Sequence, residues 1–243
     1  MARRFDRRRA LAGFGALSLG ALLEGCGDDG GKTTGDTTTK TSATTARLFD
    51  ESSSCTVTPE ETEGPYYFDA DRIRGDIRED REGTRLRLAI RVRDAAGCKP
   101  ISNAVVDIWH CDALGLYSGF EAASTGGPGG GGGPTDNEKY LRGAQVTNSD
   151  GIVEFVTIYP GWYRGRTVHI HAKVHLDNAT VLTSQLYFDE AVTESVYKRE
   201  PYSQHTGRDT FNSNDGIYDE RLLLTLRKDG AGRLGLTTFD VKS

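Results

Sequence analysis

Three things are missing from this 243-residue sequence: an excess of positive charge, an apolar run long enough to cross a bilayer and, in its body, any long amphipathic helix. Lys and Arg number 30 against 35 Asp and Glu. Five of the basic residues (Arg3, Arg4, Arg7, Arg8 and Arg9) fall within residues 1–25, and without that stretch 25 basic residues face 33 acidic ones. Such an acidic surface argues against electrostatic binding to nucleic acid, whose phosphates dominate affinity. It argues equally against a basic membrane-surface protein. The apolar run Ala10–Leu23 falls short of the roughly 20 residues a spanning helix needs. The length fits one domain, or at most two small ones.

The N-terminus has an export pattern. Residues 1–25 read as a signal peptide, with the positive stretch Met1–Arg9 ahead of the apolar run Ala10–Leu23. The arginine groups Arg3-Arg4 and Arg7-Arg8-Arg9 resemble a twin-arginine signal, with an ordinary secretory signal as the alternative. Leu23-Glu24-Gly25-Cys26 resembles a lipoprotein cleavage box in which Cys26 carries the lipid, although Glu24 departs from the small residue expected there. Residues 26–50 read as a disordered tether: Gly27–Ala46 holds eight Thr and almost nothing apolar, too little to offset the entropy of ordering. Its composition also suits a glycosylated stalk. The expected location is therefore outside the cytosol, as an envelope lipoprotein or a secreted protein, with Cys26 as the sole membrane attachment.

Residues 51–243 read as one all-β domain, a β-sandwich of mainly antiparallel strands with long loops, or a barrel. Thr84–Arg93 alternates strictly, with Leu86, Leu88, Ile90 and Val92 on one face and Arg85, Arg87, Arg91 and Arg93 on the other, as a half-buried strand does. Further short strands are expected at 104–110, 151–158, 167–175, 180–188, 221–226 and 235–241, separated by Gly, Asp and Asn turns. The Gly-rich insert 124–134 reads as a flexible loop, an inert excursion or a flap over a site. Outside the cytosol a disulfide is allowed. Cys98 lies in a loop and Cys55 just ahead of the domain, which favours pairing these two and leaves Cys111 as a small packed side chain.

Of only five His, three crowd into Thr167–His175. Period two puts His169, His171, Lys173 and His175 on one face and Val168, Ile170, Ala172 and Val174 on the other. The first two imidazoles then project side by side, close enough to share a metal ion; a plain polar face is the alternative. Tyr163 and Arg166 stand shortly before the pair, and Tyr117 follows the Trp109 strand; both tyrosines also suit the rim of a sandwich.

Taken in order, Thr62-Glu63-Gly64-Pro65-Tyr66-Tyr67, Trp109 through Tyr117, Arg142-Gly143, Asp150-Gly151, Tyr159-Pro160-Gly161-Trp162-Tyr163 and Arg166-Thr167-Val168-His169-Ile170-His171 resemble the intradiol ring-cleavage dioxygenases, over residues 55 to about 190. The resemblance implies a mononuclear non-haem Fe(III) held by Tyr117, Tyr163, His169 and His171, with Tyr163 and His169 axial. It also implies a catechol-type substrate opened by O2 between its two hydroxyl carbons to a cis,cis-muconate-type diacid, with Tyr163 leaving the metal as it takes a substrate proton. Arg166 matches the family's catalytic and substrate-binding Arg, and Gln185 its pocket Gln; His110 and His175 match no ligand position. Fe(III) is a hard ion, and its charge permits deprotonation of a Tyr far below the free value of about 10. A ferrous oxygenase would show two His and a carboxylate, and a zinc site Cys, His or carboxylates.

Where cytosolic members carry a helical dimerisation segment, this chain has a signal and tether, so the family's usual oligomer does not carry over. Catechol, hydroxyquinol, protocatechuate and lignin-derived catechols all stay open as substrates. Two other readings also stand at this point: a non-catalytic envelope binding module that keeps the sandwich, and a hydrolase using zinc at the His pair.

Overall fold

The structure is a computed structural model that describes residues 45–49, 55–124 and 133–243. The expected signal, Cys26, the tether up to residue 44 and most of the Gly-rich insert lie outside the described residues. Among those described, no helix is long and apolar enough to cross a membrane.

Among the described residues, eight strands form two four-stranded sheets. They are β1 (Arg85–Asp94), β2 (Val105–Trp109), β3 (Arg142–Val146), β4 (Ile152–Ile158), β5 (His169–Leu176), β6 (Ala179–Tyr187), β7 (Thr225–Asp229) and β8 (Gly232–Val241). One sheet runs β4-β1-β8-β7 and the other β3-β2-β5-β6. All pairs are antiparallel except β1 with β8. The alternating apolar residues meet between the sheets: Leu86, Leu88, Ile90 and Val92 of β1 share one core with Ile170, Ala172 and Val174 of β5 and with Val168 just before it. The all-β sandwich is therefore as expected. The longest helix among the described residues, α1 (Glu190–Tyr197), is capped by Asp189, whose carboxylate accepts the N–H of Val192.

Three local features differ from the sequence pattern. Residues 221–226 do not form one strand, because Glu220–Leu222 winds into a 3₁₀ turn whose cap, Asp219, accepts the N–H of Arg221; β7 begins only at Thr225. Strand β3 has no apolar alternation to announce it; its Gly143 lets the chain pass so close to Ile77 that a Cβ there would lie 2.7 Å from the Ile77 side chain. The third concerns the tether. Thr45–Phe49 falls inside residues 26–50, yet Phe49 packs with Ala89, Ile152, Leu234 and Leu236 on the outer face of the β4-β1-β8-β7 sheet. Arg91 lies with its guanidinium 4.7 Å from the centre of the Phe49 ring and donates to the carbonyl of Ala46. The outer residues of β8 are apolar here, and they bury the apolar end of an otherwise polar segment.

The arginine face of β1 is also less exposed than alternation implies. Arg93 is buried because Asp240 of the parallel neighbour β8 accepts from both its Nε and Nη2, at 2.8 and 3.0 Å. Asp240 also ties down the segment that leads to the other sheet: it accepts the N–H of Thr56, while its own N–H donates to Thr58 Oγ1. Cys55 and Cys98 are joined in a disulfide across a separation of 43 residues, and Cys111 is free and buried. Replacing Cys55 by Ser is expected to cost roughly 2–4 kcal/mol of unfolding free energy by releasing that loop in the unfolded chain. Urea melts of the two proteins check this, and an unchanged midpoint would contradict it.

Candidate metal centre

The chemistry-bearing residues contributed by strands fall on the outer face of the β3-β2-β5-β6 sheet, in rows set by strand register. Arg142 lies opposite Trp109, Trp109 opposite His171, and His171 opposite Gln185; one row on, His169 faces Tyr187. The apolar half of β5 is committed to the core, so both imidazoles must project from the opposite face. The Trp109 ring stacks on His171 with centroids 4.8 Å apart and planes 5° from parallel, which fixes the plane of the imidazole. Gly64 lies against the same ring: a Cβ there would come 3.3 Å from His171 Cε1, and its φ of +71° favours glycine independently.

Two loops bring in the tyrosines. Asp112 shapes the first by accepting the N–H groups of Leu114 and Leu116 on Oδ1, which delivers Tyr117 beneath the sheet face. Arg142 locks the far side of that turn, donating from Nε to Ser118 Oγ and from Nη2 to the Ser118 carbonyl. The second loop carries Tyr163 and approaches the first at Gly161, whose N–H donates to the Asp112 carbonyl. A Cβ at 161 would sit 2.5 Å from two carbonyl oxygens of the Tyr117 loop, so only glycine lets the loops meet.

The resulting cluster is tight. Tyr163 Oη lies 3.0 Å from His169 Nε2, and His169 Nε2 lies 3.0 Å from His171 Nε2. The rings of Tyr117 and Tyr163 are 5.6 Å apart, and those of Tyr117 and His171 6.2 Å. His169 Nδ1 contacts the Thr167 carbonyl at 2.6 Å, so Nδ1 carries the proton and Nε2 offers its lone pair to the cluster. Tyr117 is fully buried, and its hydroxyl lies beside that of Tyr163. Four donor side chains gathered in this way could hold a shared positive ion.

The electrostatics narrow what that centre can be. Burial, then the nearby Arg166 cation, lowers His169 to about 3; burial and His169 hold His171 well below the usual imidazole range. Both are therefore neutral ligand-type imidazoles at physiological pH. Burial raises the phenols of Tyr117 and Tyr163, so only a strong cation would draw out their protons. Among the described residues no three His, Cys, Asp or Glu side chains gather into a possible metal site. A metal here must draw on the phenols, and two hard oxygen donors with two imidazoles suit a small trivalent ion better than zinc.

The polar wall beside the cluster is one network. Arg166 Nη2 donates to Gln185 Oε1 at 2.6 Å and approaches the Tyr187 hydroxyl at 3.4 Å. Gln185 Nε2 donates to the Thr62 carbonyl, and Tyr187 donates to Glu61 Oε2. The 61–67 segment thus forms a strap over the site, with Tyr66 tilted on Tyr117, Tyr67 on Trp109, and Lys173 paired with Glu63. The structure brings together all six residues singled out in the sequence: Tyr117, Tyr163, Arg166, His169, His171 and Gln185. His110 is buried with its ring nitrogens on the Cys111 carbonyl and Thr157 Oγ1, and His175 contacts Thr180. Sequence reasoning passed over Tyr187, although two-residue alternation from Gln185 marks it; it also passed over Asp215, which accepts from Arg166 and has no local pattern to reveal it.

Fold and cluster together define a β-sandwich protein whose metal-binding potential rests on mixed phenol and imidazole donors. A family model described as Dioxygenase matches residues 62–199. The chain belongs to the intradiol ring-cleavage dioxygenase family. An intradiol ring-cleavage dioxygenase of Tetranychus urticae is 35% identical with a TM-score of 0.73, the match covering 77% of this chain and 95% of that one. The dioxygenase domain of a dioxygenase carbohydrate-binding protein fusion from Streptomyces sp. SirexAA-E is 31% identical, with a TM-score of 0.58 and coverage of 77% and 99%. The chlorocatechol 1,2-dioxygenase of Rhodococcus opacus is 32% identical over 132 residues, 46% of this chain and 47% of that protein. The chain spans about half the length of the curated relatives it matches.

Proposed function

We propose that this protein is an Fe(III)-dependent intradiol dioxygenase, which opens a catechol-type ring between its two hydroxyl carbons with O2 to give a cis,cis-muconate-type diacid in aromatic catabolism. The observation that carries this reading is the convergence of Tyr117, Tyr163, His169 and His171 on one point, with His169 Nε2 3.0 Å from both Tyr163 Oη and His171 Nε2. These four residues would hold the iron. When bound, Fe(III) would supply Lewis-acid chemistry that activates the organic substrate toward O2.

The chain's own residues account for the remaining requirements. Tyr117 is enclosed, whereas Tyr163 is only partly buried, so Tyr163 is the residue with freedom to move and, once deprotonated to the phenolate, to take a substrate hydroxyl proton at Oη. Arg166, held against Gln185, offers a fixed cation to negative charge developing on the ring. Tyr66, Tyr67 and Trp109 wall the site with aromatic surface and exclude water from it. The test is iron loading with a visible spectrum. Tyrosinate bound to Fe(III) absorbs strongly in the visible, so the loaded protein is expected to be coloured; a colourless protein with stoichiometric iron would overturn the ligand assignment.

We further propose export through the arginine-rich leader and lipid anchoring at Cys26, on the strength of the Leu23-Glu24-Gly25-Cys26 box. Changing Cys26 to Ser is expected to move the protein from the membrane fraction to the soluble fraction. Unchanged retention would count against the anchor.

A further inference from the structure

We infer that Asp215 is a positioning residue that aims the Arg166 guanidinium at the substrate wall, an inference that rests on the proposed function. Asp215 comes from the segment 205–219, beyond residue 199 where the family match ends. Its side chain is 1% exposed, yet it is fully used: Oδ2 accepts from Arg166 Nε at 3.0 Å and from the Thr167 N–H at 2.8 Å, and Oδ1 accepts the Ile217 N–H at 2.8 Å. Arginine carries several freely rotating bonds, and gripping Nε fixes the plane of the fork and so the direction of its other nitrogens. With Nε committed, Nη2 is left at 2.6 Å from Gln185 Oε1 and 3.4 Å from the Tyr187 hydroxyl.

The rest of the segment supports the same turn. Asp209 accepts the Gly165 N–H, Asn212 accepts the Thr167 hydroxyl, and the His205 carbonyl accepts the Trp162 indole N–H. Tyr218 packs edge-on against Tyr187. Residues 162–167, which carry Tyr163 and Arg166, are therefore braced by a part of the chain that the family match does not include. Asp215 is the one charged member of that brace whose carboxylate reaches the Arg166 guanidinium.

A crystal structure and a double-mutant cycle test this on the iron-loaded full chain. Asp215→Asn keeps an acceptor for the Thr167 N–H and removes the charge that grips Nε. In the crystal, Arg166 Nη2 is expected to leave hydrogen-bond reach of Gln185 Oε1; an unmoved guanidinium would overturn the proposal. In the cycle, Asp215→Asn alone is expected to lower kcat about 10- to 100-fold with KM nearly unchanged, and to cost less than about 2-fold once Arg166 is already Ala, because both changes remove one interaction. Equal losses in both backgrounds would mark Asp215 as merely structural, and wild-type kcat in the single variant would also overturn the proposal. Should the Asn variant not fold, Asp215→Glu gives the same reading, since it keeps the charge but displaces it: coupling to Arg166 supports the proposal and additivity overturns it. If the wild type turns over no catechol at all, the proposed function fails, and the crystal structure alone then decides whether Asp215 positions Arg166.

Discussion

Changing Tyr163 to Phe is expected to lower turnover of a catechol by about 10²- to 10⁴-fold, the range for losing a positioned proton acceptor, while leaving iron bound and the visible absorption altered. Tyr117 and Tyr163 are the same residue type at one cluster, but they are held differently. Tyr117 is fully buried beneath the strap, its turn locked by Arg142 through Ser118 and its ring covered by Tyr66. Tyr163 sits on a turn at the edge of the site, followed by exposed Arg164 and Gly165. On the proposed function, its loss leaves three donors in place and removes the group that takes a substrate proton. Iron content, visible spectrum and single-turnover rates of wild type and variant check this together. Wild-type absorption and wild-type turnover in the iron-loaded variant would show that Tyr163 is neither donor nor proton acceptor.

The second large effect is expected at Arg166. Arg166→Ala should cut kcat by about 10²- to 10³-fold, the cost of removing one preorganised electrostatic stabiliser, with a smaller effect on KM. The guanidinium is already held by Asp215 and Gln185 before any substrate arrives, so its stabilisation needs no rearrangement during the reaction. Arg166→Lys is expected to recover little of the loss, because an ammonium cannot bond Asp215 and Gln185 at once through a rigid fork. A kcat unaffected in the Ala variant, with only KM raised, would assign Arg166 to binding alone. Steady-state oxygen uptake against catechol concentration separates the two.

Much of this site is visible in the sequence because a strand exposes its side chains by a rule of two. Once Val168, Ile170, Ala172 and Val174 are given to the core, His169 and His171 have only one direction left, and the same rule places Gln185 with Tyr187. Tyr117 and Tyr163 are legible only through the ordered motifs around them, since nothing in the spacing of 46 residues says that two loops meet at Gly161. The tertiary contacts behind the site carry no periodic signal. Strand β3 reads as a fragment of a motif because its Arg142 and Gly143 are chosen for contacts with Ser118 and Ile77 and not for alternation. Thr45–Phe49 hides in a polar run, and the patch that receives it becomes evident only when the outer residues of β1, β4 and β8 are assembled. Asp215, 49 residues beyond Arg166, shows the same limit.

The most direct measurement is oxygen uptake by the purified, iron-loaded protein across a panel of catechols, with the product of each identified by mass and absorbance. The expected result is one O2 consumed per ring and a colourless diacid whose mass is that of the substrate plus O2, formed by cleavage between the hydroxyl carbons. No uptake with any catechol, or a yellow aldehyde-acid from cleavage beside the hydroxyls, would contradict it.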